Sequence, residues 1–203
     1  MKTKLGGVIA LVETASLAAA FLFLRHDVVR PHTVLLLVFA LPIAFGLHVF
    51  EEFIFPGGAS DWFKTYRPQY ADAYTPSYFF KINAVPLLLS VLVCLGAFDF
   101  RGGFSFAGIR AWLAFASLQG FNALYHIRGA IETRKYSPGM VSAALFYLPL
   151  VIFGFACLLR TGTVDIFSAI LCFLIGAASQ PVFDRIKERR MKRAGQRAVT
   201  GHR

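Results

Sequence analysis

The sequence predicts an all-α polytopic membrane bundle of about six transmembrane helices, and three observations carry that expectation. The 203 residues are 57% hydrophobic and only 16% charged, against roughly 45–50% and about 25% in soluble domains. The mean hydropathy is +0.60. The apolar residues fall in long continuous runs rather than in the short apolar–polar alternation of barrel strands.

A helix needs roughly 20 mostly apolar residues to cross the hydrocarbon of a bilayer. Six stretches qualify, near Leu5–Leu24, Val34–Phe53, Phe79–Phe98, Phe106–Ile127, Met140–Leu159 and Val164–Phe183. The first follows Lys2 and Lys4 and contains Ala18-Ala19-Ala20, which has the look of a cleavable leader. Its apolar run continues through Leu24, however, and Glu13 interrupts its core, so it reads as a retained span. An acid at that depth is expensive, which makes Glu13 a functional candidate, or a protonated group bonded to a neighbouring helix. The loop between the second and third stretches, near Ile54–Tyr78, carries Trp62, Tyr66, Tyr70, Tyr74 and Tyr78. It is expected as an interfacial loop or short surface helix at the headgroup level, or as a lid over a neighbouring site. Domain organisation is then a transmembrane domain over residues 1–184 and a basic cytoplasmic tail over 185–203.

Charge sets the expected orientation. With both termini cytoplasmic, the outer loops hold Arg25, Arg30, Arg101, Arg110 and Arg160, and the other 16 of the 21 Lys and Arg lie inside, as the positive-inside rule requires. The net charge of +10 is concentrated in the tail, where eight of those residues lie between Arg185 and Arg203. Beside so much apolar sequence the tail reads as a topology determinant on an anionic leaflet rather than a nucleic-acid site. The expected location is a plasma or inner membrane, and the bilayer is the expected partner. The three cysteines, Cys94, Cys157 and Cys172, lie inside apolar runs without metal spacing and are read as small buried hydrophobes.

The polar residues that bear chemistry converge at one membrane level. His48, Glu51 and Glu52 stand at i, i+3 and i+4 at the end of the second span. Lys81 and Asn83 open the third. Asn122 and His126, at i and i+4, close the fourth, with Arg128 and Glu132 following. Paired acids at a helix C-terminus beside an anionic leaflet call for positive charge. That charge is a divalent metal (Zn, Fe or Mn) held by His48, Glu51, Glu52 and His126, or else Lys81, Arg128 or Arg134, or the acids are solvated at the surface. Asn83 and Asn122 are placed beside the site to orient ligands or polarise a substrate, with one of Glu51 and Glu52 free as general base. H-E-x-x-H, H-x-x-E-H, G-x-S-x-G and phosphate-binding glycine loops are absent.

His48-Val49-Phe50-Glu51-Glu52, then Pro56 and Trp62, then Asn122-Ala123-Leu124-Tyr125-His126 and Tyr136-Ser137-Pro138-Gly139, form an ordered set. In this set the chain resembles the HXXEE-motif family of integral membrane proteins, over roughly residues 40–145. Members of that family tend to carry Thr after the Pro-Gly pair, where this chain offers Ser142. The resemblance implies a shared polar site of enzymatic character and supplies no substrate. The leading functional expectation is therefore a membrane-embedded metal-dependent enzyme for a lipid-like or apolar substrate. The alternative is a non-catalytic transporter, binder or accessory subunit with a proton- or cation-handling cluster.

Overall fold

The structure, a computed structural model, describes residues 33–99 and 103–200. Six helices make up the described chain: α1 (Thr33–Phe53), α2 (Ala59–Tyr66), α3 (Pro76–Gly96), α4 (Phe106–Thr133), α5 (Met140–Arg160) and α6 (Ile166–Thr200). A 3-10 turn, Pro68–Ala73, joins α2 to α3, and a two-residue antiparallel bridge pairs Phe98 with Phe104 and Asp99 with Gly103. The first expected span, Leu5–Leu24 with its Glu13, lies outside the described residues.

Among the described residues, four stretches are long and apolar enough to cross a membrane: Val34–Phe53, Tyr78–Gly96, Met140–Arg160 and Ile166–Ile186. The fourth expected span, near Phe106–Ile127, is a helix but does not belong to this apolar set. Arg110, Gln119, Asn122 and His126 dilute its apolar character. Its place in the bundle accounts for that. α4 packs against α3, α5 and α6, and its buried residues recur every three or four positions, through Ile109, Trp112, Leu113, Ala116, Gln119, Ala123 and His126. Small residues let the neighbours close in. A methyl group at Gly120 would meet Val151 of α5 at 3.0 Å, and one at Gly108 or Gly176 would strike backbone of the facing helix. α1 is the other buried helix, packed between α3 and α5.

Helix ends follow the local sequence. Thr75 caps α3 by accepting from the Tyr78 N–H at 3.1 Å, with Pro76 in the first turn. Ser105 caps α4 through the Gly108 N–H at 3.2 Å. Asp165 caps α6 through the Ser168 N–H at 2.8 Å and pairs with Arg110 at 2.9 Å, tying the start of α6 to α4. α5 begins after the left-handed Gly139 and contains a π-helical turn, Ala143–Tyr147, a feature that re-aims side chains near sites. α6 runs on without a break into the basic tail as far as Thr200.

The aromatic loop is folded rather than open. Ala59, Trp62, Phe63, Tyr74 and Phe79 form a small buried core, joined by Tyr66, Tyr70, Tyr78 and Tyr125. Trp62 stacks on His126 with ring centroids 5.9 Å apart. α2 therefore covers the end of α4 that carries the site.

Candidate metal centre

His48, Glu52 and His126 meet at the junction of α1 and α4 beneath α2. Glu52 Oε1 lies 3.5 Å from His48 Nε2 and 3.3 Å from His126 Nε2. The two imidazoles sit edge to face at 4.9 Å. One ligand atom from each of the three residues lies within 4.8 Å of the others, and all three side chains are buried, His48 and His126 at 1% exposure. A buried carboxylate between two imidazoles is an arrangement that needs positive charge. Among the described residues Glu52 forms its ion pairs with these imidazoles, whereas Arg128 pairs with Glu132 at 2.6 Å on the surface.

The outer nitrogens of both rings are held, which sets where the lone pairs point. His48 Nδ1 lies 3.0 Å from the Gly139 carbonyl and 3.1 Å from Ser142 Oγ. A carbonyl only accepts, so Nδ1 carries the proton, and the bare Nε2 accepts from the Asn122 amide Nδ2, 3.3 Å away, on the side where Glu52 Oε1 also lies. His126 Nδ1 lies 2.9 Å from Ser137 Oγ, a hydroxyl that can accept the Nδ1 proton and leave Nε2 free. Imidazoles that ligate metals are oriented by this kind of outer hydrogen bond. Tyr147, brought in by the π-helical turn, closes the remaining side of His48 at 4.9 Å.

Glu51 stands in a different set of contacts. Its Oε1 accepts from the Tyr136 hydroxyl and from the Val141 N–H at 3.0 Å, and its Oε2 accepts from the Ser142 N–H at 2.6 Å. It therefore serves as the anion at the N-terminus of α5, where unpaired N–H groups and the helix dipole favour a carboxylate. It is not part of the His48–Glu52–His126 triplet. Burial, followed by the hydrogen bond to Glu51, raises the Tyr136 phenol above its ordinary pKa. Folding thus favours the neutral phenol. That contribution is intact below the unfolded phenol's value of about 10 and fades as pH rises through the raised folded value. Melting curves of wild type and Tyr136→Phe should accordingly converge above about pH 10. A constant difference between them across that range would contradict the assignment.

A cavity of about 570 Å³ abuts the triplet, lined by His48 and Glu52 on α1, Asn83 on α3, and Gln119 and Asn122 on α4, with apolar and aromatic side chains over the rest. Asn83 donates from Nδ2 to the Phe79 carbonyl at 3.0 Å, leaving its oxygen for the cavity. Lys81 also lines the cavity.

Residues 39–154, more than half of the chain, match the family described as protein of unknown function with HXXEE motif. The chain belongs to the HXXEE family. No curated protein and no solved structure matches it. The two acids of the motif that gives the family its description thus serve different neighbours in this HXXEE protein: Glu52 pairs with His126 of α4, and Glu51 holds α5. Two residues of the site escape a reading of the HXXEE sequence alone. Gln119 is buried at 1% exposure and lines the cavity. Its signal was its spacing, three before Asn122 and seven before His126 on one face of α4. Tyr147 had no comparable signal, because the π-helical turn breaks the periodicity of α5 just before it.

Proposed function

We propose that this HXXEE protein is a membrane-embedded, metal-dependent enzyme acting on a lipid-like or otherwise apolar substrate. The observation that carries the reading is the buried His48–Glu52–His126 triplet, two of whose members also line a largely apolar cavity. Two imidazoles and one carboxylate suit Zn, Fe or Mn, and three protein ligands leave a position open for chemistry. A bound divalent ion supplies Lewis acidity at the cavity wall. The chain's own groups do the rest. The Gly139 carbonyl and Ser137 hold the imidazoles in place, Glu51 fixes the segment that carries Gly139, and Asn122 and Asn83 present amides to the substrate. α2 and its aromatic core keep water from the His126 side. In the same proposal the bundle has six spans with both termini cytoplasmic, and residues 185–203 anchor at the anionic leaflet.

Incubation of the detergent-purified, metal-loaded protein with a total lipid extract, followed by mass spectrometry, tests the reading. Wild type should convert at least one lipid class, and Glu52→Gln should convert none. A metal-loaded wild type that leaves every class unchanged would favour the non-catalytic alternative.

A further inference from the structure

The cavity has two unlike ends. At the inner end, Gln119 Nε2 is buried without a hydrogen-bond partner among the described residues. A buried N–H left unpaired is costly, and this one belongs to a side chain that lines the cavity one helical turn from Asn122. At the outer end, the lining residues Ile82, Val85 and Leu89 on α3 and Phe183 and Ile186 on α6 are exposed apolar side chains. Both helices belong to the four stretches apolar enough to cross a membrane. The outer end is therefore continuous with the surface that those helices offer to lipid.

We propose that the cavity takes a single long-chain lipid with an uncharged oxygenated head, admitted sideways from the bilayer between α3 and α6, with a carbonyl oxygen of that head accepting from Gln119 Nε2. The inference deepens the proposed function and rests on it for what happens to the head, which lies beside His48 and Glu52. A neutral head is the match for a neutral donor: Gln119 offers one unpaired amide N–H and no formal charge. A cavity of about 570 Å³ lies within the roughly 300–1,000 Å³ typical of small-molecule sites.

The test uses the full-length protein in phospholipid nanodiscs with three photoreactive long-chain probes: a methyl ester, the corresponding free acid, and a hydrocarbon without oxygen. The methyl ester should label α3 and α6 residues of the cavity and be displaced by unlabelled ester. Gln119→Leu should weaken ester labelling by about tenfold, the equivalent of one hydrogen bond, and leave hydrocarbon labelling unchanged. Val85→Trp, at a half-exposed position whose substitution spares the core, should reduce labelling by both. Stronger labelling by the free acid than by the ester, insensitive to Gln119→Leu, would overturn the head-group assignment in favour of Lys81. Labels mapping outside the α3–α6 face, or no effect of Val85→Trp, would overturn the route. Metal content measured on the same samples separates this inference from the enzyme reading: ester labelling that depends on Gln119 stands whether or not metal is found.

Discussion

A methyl group added at Gly139 is expected to cost about 2–5 kcal/mol of stability and to dislodge His48. Two effects combine. Gly139 has φ +94°, a left-handed conformation that costs an L-residue about 1–2 kcal/mol. An alanine Cβ there would lie 2.5 Å from His48 Cε1 and 3.0 Å from Glu52 Cγ, and forcing extra carbon into a packed interior costs about 1–3 kcal/mol. The protein supplies its own control. Gly58 has nearly the same backbone, φ 90° and ψ 8° against φ 94° and ψ −9°, but a Cβ at Gly58 meets nothing within 4 Å. Gly58→Ala should therefore cost only the conformational part, about 1–2 kcal/mol. Thermal melts of the two variants in detergent isolate the contact with His48. Equal losses would mean that the Gly139 segment does not press on the triplet.

The second large effect is expected at Glu51. Glu51→Leu removes the acceptor from the Tyr136 hydroxyl and from the Val141 and Ser142 N–H groups at once. Hydrogen bonds to a charged group contribute about 1.5–3 kcal/mol each and do not add fully, so a loss of about 3 kcal/mol or more is expected. Glu51→Gln keeps one carbonyl oxygen in place and should lose about half as much. Metal binding should follow a different order from stability, with Glu51→Gln retaining the ion because Glu51 stands outside the triplet. Loss of metal from a folded Glu51→Gln would return this carboxylate to the ligand set.

The division of labour between Glu51 and Glu52 shows where sequence reading ran out. Spacing placed His48 and Glu52 one turn apart on α1, and Asn122 and His126 one turn apart on α4, and the Lys and Arg balance of the loops put both pairs at one membrane level, which drew the two helices to one site. The same spacing made Glu51 a companion of Glu52. Consecutive residues, though, point about 100° apart around a helix, so adjacent acids can serve different neighbours, and which neighbour stands where is a tertiary fact. The apolar runs of α1, α3, α5 and α6 were legible because each contains a stretch of about 20 residues that is apolar all round, whichever way its faces turn. α4 was legible as a helix but less so as to its place. Ser117, Gln119 and His126 lie on its buried stripe, and an averaged hydropathy does not distinguish a buried stripe from an exposed one. In the aromatic loop the sequence offered a short helix but not its docking, because the packing of Trp62 onto His126 depends on close approach at Gly129, where a Cβ would meet the Trp62 ring at 2.5 Å.

The central claim is that His48, Glu52 and His126 hold a divalent ion. Elemental analysis of detergent-purified protein, exposed to Zn, Mn and Fe and then washed free of loose metal, tests it most directly. Wild type and Glu51→Gln should each retain about one equivalent per chain, and His48→Ala, Glu52→Gln and His126→Ala should each retain none. A wild type that holds no metal, or three triplet variants that hold as much as wild type, would contradict the claim.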